Sequence, residues 1–168
     1  RYNWELAGGA TMDLGCYSIH LLRTLLKAEP TVVSAQARRF EGGQIDEALT
    51  AQLEFPGGVT ATASSSLLED VQAQTARLVG TLGTIEFEGF VKPHGGNSLT
   101  VTVGDHSTTE TVAPDVTSYG AQLSAFVAAV EEGGPVVIDA ADSIATMEVI
   151  DACYRAAGLE PRRAVPWA

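Results

Sequence analysis

The sequence predicts an α+β domain that has an open, mostly antiparallel sheet of six or seven strands with helices packed on one face. Three observations support this prediction. A long apolar helix is expected at residues 10–27, short alternating segments joined by glycine-rich turns follow it, and two more helices close the chain. Strands that are consecutive in sequence and joined by short turns pair antiparallel, and the helices then cover one face of the sheet.

The composition fits one globular domain. The chain has 168 residues, 45% of them hydrophobic, and no apolar run reaches the length of a membrane span. A net charge of −11, with ten basic residues scattered among 21 acids, argues against nucleic-acid and membrane partners. Cys16 and Cys153 lie in predicted helices and are expected to be reduced thiols of a cytoplasmic protein. The histidines are far apart in sequence, so no metal site is predicted.

The first helix carries a narrow polar strip. Leucines and other apolar residues point in nearly every direction around it, which is typical of a buried helix. Four polar residues at i, i+4, i+7 and i+11 nevertheless fall within roughly 60° of one another: Asp13, Tyr17, His20 and Thr24. Buried ionisable groups must be paired or face a cavity. The strip therefore lines a substrate pocket, satisfies its own polar groups, or meets solvent.

The middle of the chain alternates between apolar and polar residues, as antiparallel strands do. The predicted strands are residues 32–40, 47–55, 59–67, 72–81, 84–88, 99–103 and 108–112. On one face of the second strand lie Leu49, Ala51, Leu53 and Phe55. The opposite face of the hairpin has little charge and carries Thr50, Gln52, Thr60, Thr62, Ser64 and Ser66. This face either meets water or packs against another copy, which would give a homodimer or tetramer.

Two helices are predicted at the end of the chain, at residues 118–132 and 140–157. The first has an apolar stripe made of Leu123, Phe126, Val127 and Val130. The second begins with the acids Asp139 and Asp142, which suit a helix start, and ends at Gly158. Residues 163–167 are expected to add a short edge strand.

The segment GGATMDLGCYSIHLLRTLLKAEP, of the form G-G-A-x-M-D-L-G-C-Y-x-x-H, resembles the start of the C-terminal domain of the Gfo/Idh/MocA oxidoreductases. VGTLGTIEFEG is similar to the strand–turn–strand of that domain, and the two closing helices are similar to its final pair. The resemblance covers nearly the whole chain. It implies that residues 1–168 form the substrate-binding and oligomerisation domain of a two-domain enzyme that acts on a sugar, polyol or cyclic diol. The N-terminal Rossmann domain of that enzyme would bind NAD or NADP.

The resemblance also implies roles for residues of the first helix. Asp13-x-x-x-Tyr17 is similar to the tyrosine branch of the family, so Tyr17 would be the catalytic acid/base and Asp13 would orient the substrate or tune the site. A phenol with a pKa near 10 needs a nearby cation for this role. In the family that cation is the lysine of a Glu-Lys-Pro motif on the Rossmann domain. This sequence contains neither Glu-Lys-Pro nor G-x-G-x-x-G, so the chain alone is expected to be inactive and to bind no cofactor.

Three further residues are candidates for substrate binding. His20 lies one turn beyond Tyr17 and either contacts substrate or packs against the backbone. Arg1 and Trp4 either form a wall of the sugar site or belong to a frayed end. The chain opens without Met, as if cut from a longer protein. The alternative function is a free-standing, non-catalytic module that self-associates or binds carbohydrate.

Overall fold

The computed structural model describes residues 1–68, 73–113, 115–134, 136 and 138–163. It divides the chain into two compact units, residues 1–70 with 140–168 and residues 71–139. The main elements are a π-helical turn (Thr11–Gly15), α1 (Cys16–Leu26), β1 (Thr31–Arg39), β2 (Asp46–Phe55), β3 (Val59–Ser66), β4 (Thr75–Val79), β5 (Thr84–Glu88), β6 (Ser98–Val103), β7 (His106–Glu110), α2 (Ser118–Glu132) and α3 (Ala140–Ala156). The predicted α+β class and antiparallel strands are confirmed. Among the described residues the strands form two hydrogen-bonded sheets, of three and four strands.

The first unit is built on the sheet β1–β2–β3, in which the central strand β2 pairs antiparallel with both neighbours. The predicted alternation of β2 is confirmed, because its apolar residues are buried while Thr50, Gln52 and Glu54 are exposed. α1 and α3 supply the rest of the core. The buried cluster comprises Ile19, Leu49, Ala51, Leu53, Phe55, Ala63, Val149, Ile150, Cys153, Tyr154 and Leu159.

The opposite face of this sheet is polar and internally hydrogen-bonded. Thr50 Oγ1 lies 3.0 Å from Ser64 Oγ, and the Thr62 hydroxyl donates to Gln52 Oε1 at 2.9 Å. These cross-strand pairs satisfy the side chains without any ionised group.

The first helix differs from its prediction in two ways. It begins with a π-helical turn before α1, and only two α1 side chains, Ile19 and Arg23, are buried. Tyr17 is 47% exposed, so this part of the predicted strip lies at the surface of the described chain. Apolar residues on all sides of the sequence pattern predicted a fully buried helix. In the structure, only part of the surface of α1 packs against the sheet and α3, so the rest is exposed.

The buried cation of α1 joins it to α3. The Arg23 guanidinium donates to both Glu29 carboxylate oxygens, at 2.6 and 2.7 Å, to Asp142 Oδ1 at 2.9 Å and to Thr146 Oγ1 at 2.7 Å. The hydrogen bonds between Arg23 and Glu29 lower the pKa of Glu29 and raise the pKa of Arg23. A buried charge is stable only when it is paired in this way.

The second unit contains an antiparallel sheet in the order β4–β5–β6–β7. Its predicted turns are confirmed, with Gly80 N–H donating to Gly83 O at 2.8 Å between β4 and β5, and residues 104–105 joining β6 to β7. α2 has its predicted bounds, but its apolar stripe is exposed: Phe126 and Val130 are 59% and 67% accessible. The helical spacing of apolar residues predicted the apolar face of α2 but could not predict what packs against that face. Apart from Arg163, the predicted 163–167 strand lies outside the described residues.

The two cysteines are free thiols. Burial raises the pKa of Cys153 to about 11 and also raises the pKa of Cys16, so both remain protonated at neutral pH. No helix within the described ranges has the length and apolar character needed to cross a membrane.

Arg23→Ala is expected to lower the free energy of unfolding by about 2 kcal/mol or more, because it removes five hydrogen bonds, one of them to the backbone carbonyl of Asp142, and leaves Asp142 and Glu29 without their cation. Arg38→Ala is the matched control, since Arg38 is 70% exposed and pairs with Glu47 at 3.0 Å; its cost should stay below about 1 kcal/mol. Urea titration of the chain measures both. Equal losses in the two variants would contradict the structural role given to Arg23.

Candidate functional site

The predicted catalytic residues lie on and just after the π-helical turn. Cys16 N–H donates to Thr11 O, five residues earlier, so this turn is wider than an α-helical turn. π-helical turns are rare and often occur at functional sites. The turn places Asp13 inside the widened segment and Tyr17 on the first turn of α1. The angle between the Asp13 and Tyr17 side chains around the helix axis therefore differs from the angle expected for a regular α-helix.

Asp13 is bound by the chain's first residue. Arg1 Nη1 lies 2.8 Å from Asp13 Oδ2, and both side chains are partly exposed. The backbone supports this contact, because Gly9 N–H donates to Arg1 O at 2.9 Å and Asp13 N–H donates to Gly9 O at 3.0 Å. Arg1 is thus brought to the candidate site, where it contacts the carboxylate of Asp13.

His20 is held from α3. Its Nδ1 lies 3.2 Å from Asp142 Oδ2, and the other Asp142 oxygen accepts from Arg23. His20 Nε2 lies 3.4 Å from Thr24 Oγ1. The side chains of Asp13, His20 and Thr24 in the predicted polar strip each contact another side chain of the protein. Asp142, at the start of α3, therefore binds Arg23 and also orients the imidazole of His20, which lies one turn after Tyr17 on α1.

Trp4 belongs to a separate cleft of the first unit. The Arg162 guanidinium carbon lies 4.0 Å from the centroid of a Trp4 ring, a cation–π contact. The cleft has a volume of about 950 Å³, and its walls include Tyr2, Trp4, Phe40 and Arg162. The structure therefore brings Arg1 to Asp13, whereas Trp4 lines a cleft to which Asp13, Tyr17 and His20 do not contribute.

A buried group of three residues, which we call the Asp46 cluster (Thr11, Asp46 and Tyr154), was not found by sequence reasoning. Asp46 Oδ2 accepts from both Thr11 N–H and Thr11 Oγ1 at 2.7 Å, and Asp46 Oδ1 accepts from the Tyr154 hydroxyl at 3.1 Å. All three residues are at most 1% exposed. The sequence did contain one sign of this cluster: Asp46 stands at the start of an apolar strand, where aspartate is uncommon.

The glycine loop before the turn fits closely against the Asp46 cluster. Gly9 has φ +135°, and a Cβ there would lie 2.2 Å from Asp46 Oδ1. The Arg162 side chain also donates to Gly8 O. Only a residue without a side chain leaves room for the Asp46 carboxylate at this point.

The glycine-rich turns at residues 80–83 and 95–96 do not have the setting of a dinucleotide-binding loop. Phosphate-binding glycine loops follow a strand and open a helix. Here Gly80 and Gly83 join two strands of a hairpin, and Gly95 and Gly96 precede β6. The described residues also contain no group of three or more side chains suited to holding a metal ion.

The fold defines the class of protein as an α+β domain. One helical segment of this domain presents the Asp13 carboxylate and the Tyr17 phenol, and buried polar contacts hold the start of that segment. Residues 1–86 match the GFO/IDH/MocA C-terminal domain. The chain therefore belongs to the Gfo/Idh/MocA oxidoreductase family, and the resemblance noted in the sequence is confirmed.

Characterised relatives support this assignment. The chain is 32% identical over 159 residues to D-xylose 1-dehydrogenase (NADP(+)) 2 of Haloferax volcanii, covering 94% of this chain and 48% of that protein. It is 35% identical over 88 residues to trans-1,2-dihydrobenzene-1,2-diol dehydrogenase of Xenopus laevis, covering 52% of this chain and 26% of the relative. Aldose-aldose oxidoreductase from Caulobacter crescentus, complexed with glycerol, superposes with a TM-score of 0.79 at 28% identity, covering 90% of this chain and 46% of that one. The chain spans at most about half the length of these relatives.

Gly9→Ala is expected to lower the free energy of unfolding by about 3 kcal/mol or more, because it adds backbone strain and a contact with Asp46. Gly57→Ala is the matched control: Gly57 has φ +83° in open space, so this variant carries the strain alone, at about 1–2 kcal/mol. Chemical denaturation measures the difference. Equal costs would show that Asp46 does not approach Gly9 this closely.

Proposed function

We propose that this chain is the substrate-binding and oligomerisation domain of an NAD(P)-dependent oxidoreductase that acts on a sugar, polyol or cyclic diol, with Tyr17 as its acid/base. The observation that carries the proposal is the half-exposed Tyr17 phenol, placed by α1 just beyond the turn that holds Asp13. The names of the relatives support the substrate class, since they include a xylose dehydrogenase, a dihydrodiol dehydrogenase and an aldose oxidoreductase.

The proposed chemistry divides between this chain and a Rossmann domain outside it. The nicotinamide bound by that domain supplies or accepts the hydride. Tyr17 donates or accepts the proton on the substrate oxygen, a task that requires a lowered phenol pKa. The lysines of this chain are Lys27 at the end of α1 and Lys92 in the second unit, and the nearby Arg1 is paired with Asp13. We assign the activating cation to a lysine of the Rossmann domain, as the resemblance to the family implies.

The substrate-side roles follow from the same contacts. Asp142 fixes His20 through Nδ1, so a hydrogen bond to a substrate hydroxyl would use Nε2 and compete with the weak contact to Thr24. Arg1 acts mainly by orienting the Asp13 carboxylate. Trp4 lies against the Arg162 guanidinium in the separate cleft, so its contact with the substrate stays a prediction.

The alternative is a non-catalytic carbohydrate-binding module. The cleft of about 950 Å³ favours it, because aromatic walls beside an arginine suit a sugar. The two functions differ in which residue matters: the oxidoreductase depends on Tyr17, whereas the module depends on Trp4. A cytoplasmic location remains a prediction from the two separate, protonated thiols.

Tyr17→Phe in the intact protein is expected to reduce turnover by about 10²-fold or more, since it removes the proton donor and keeps the ring. Turnover is followed by nicotinamide absorbance with a panel of sugars and diols. Tyr119→Phe is the matched control: Tyr119 lies on α2 of the second unit and is 66% exposed, and its loss should leave turnover unchanged. Full activity of the Tyr17→Phe variant would contradict the proposal.

Calorimetry separates the contribution of this chain from that of the proposed Rossmann domain. The isolated chain should give no heat of binding with NAD or NADP, while the intact protein binds one of them. Micromolar binding by the isolated chain would refute the division of roles.

The polar sheet face is the proposed self-association surface. Thr62→Lys should shift the intact protein toward monomer in sedimentation velocity, because two copies of a charge-poor face would then bury lysines without partners. Thr109→Lys in β7 is the control, since Thr109 also makes a cross-strand hydroxyl contact, at 2.9 Å. An unchanged sedimentation coefficient for Thr62→Lys would exclude this face.

A further inference from the structure

The start of the helical segment has no local cap. The first N–H groups of a helix lack partners within the helix, and here no neighbouring side chain supplies one. The partners come from distant elements instead. Thr11 N–H donates to Asp46 at the start of β2, and the same carboxylate accepts from the Tyr154 phenol of α3. Thr11, two residues before Asp13, is thus held by a side chain that is 35 positions away.

The Asp46 cluster is arranged to keep its charge on one residue. Burial is the main cause that raises the pKa of Tyr154, and the charge of Asp46 is the next. The phenol therefore stays protonated and donates a hydrogen bond to the Asp46 carboxylate. The cation of Arg162 lies 4.9 Å from the Tyr154 ring centroid. Hydrogen bonds to a charged acceptor are stronger than those between neutral groups. Three of them converge on a carboxylate that is fully buried.

Holding Thr11, the first residue of the wide turn, fixes the turn that follows. A π-helical turn contains one more residue per hydrogen-bonded ring than an α-helical turn. If it rewound to an α-helix, the direction of Asp13 relative to Tyr17 would change by up to about 100°, the rotation per helical residue. The contacts of Asp46 therefore act on the relative orientation of the two candidate catalytic side chains.

We propose that Asp46 is a positioning residue, assisted by Tyr154, which holds the turn Thr11–Gly15 in the form that presents Asp13 and Tyr17 to the substrate together. This inference rests on the proposed function of Tyr17. Asp46 contacts neither substrate nor cofactor in the proposal, and it acts through the backbone of Thr11.

The first test is structural and needs no activity. Hydrogen exchange, read by NMR on the 168-residue chain, should show the Thr11 amide of Asp46→Asn exchanging about tenfold faster or more, relative to amides of β2 such as Leu53. The buried core variant Val149→Ala controls for general destabilisation, which raises exchange without selecting this amide. Thr11→Val, which removes one of the three hydrogen bonds, gives a smaller selective change if Asp46→Asn folds poorly. Unchanged relative exchange in the substituted chains would overturn the positioning role.

The second test uses a double-mutant cycle in the intact protein. Asp46→Asn should reduce kcat by about tenfold or more and leave the KM for the dinucleotide unchanged, because another domain binds that ligand. In a Tyr17→Phe background the same substitution should lower kcat by less than about twofold. Equal kcat losses in both backgrounds would show that Asp46 does not act through Tyr17.

The two hypotheses fail in different ways. Full turnover by the Tyr17→Phe single variant refutes the proposed function and, with it, any catalytic use of Asp46. A slow Tyr17→Phe variant combined with an unaffected Asp46→Asn variant refutes the positioning role alone.

Discussion

One buried carboxylate determines how this chain presents its candidate site. Asp46 is fully buried, and its two oxygens accept hydrogen bonds from the first residue of a helical turn and from a phenol of the last helix. Such a charge is tolerated in a core only when its acceptors are satisfied. This carboxylate has three consequences for the residues around it. Gly9 has no room for a side chain, the π-helical turn stays wide, and the orientation of Asp13 relative to Tyr17 is fixed.

A second polar network supports the same helix from its other end. Arg23 bridges Glu29, Asp142 and Thr146, and Asp142 also contacts His20. The first helix is therefore held by two polar networks, one before Asp13 and one after Tyr17, rather than by apolar contacts alone. This arrangement lets a residue between them remain at the surface while its backbone is fixed, which suits a group that must meet a substrate.

The sequence predicted the elements well and the polar networks poorly. The alternation in β2 and the glycine turns report local geometry, so the strands and the bounds of α2 could be predicted from them. Apart from the Arg23–Glu29 pair, which lies six positions apart, the contacts of Asp46 and Arg23 span 35 to 123 positions, and no local pattern encodes them. Asp142 looked like an ordinary acid at a helix start, and its link to His20 depended on how α1 and α3 pack. The π-helical turn was missed because its composition does not differ from that of an α-helix.

The central claim is that Tyr17 exchanges the proton on the reacting oxygen of the substrate. A crystal structure of the intact protein with its dinucleotide and a bound sugar or diol tests this most directly. The account predicts the Tyr17 hydroxyl within about 2.6–3.2 Å of the oxygen on the carbon that faces the nicotinamide. A structure in which another side chain occupies that position, with Tyr17 beyond hydrogen-bond reach, would contradict it.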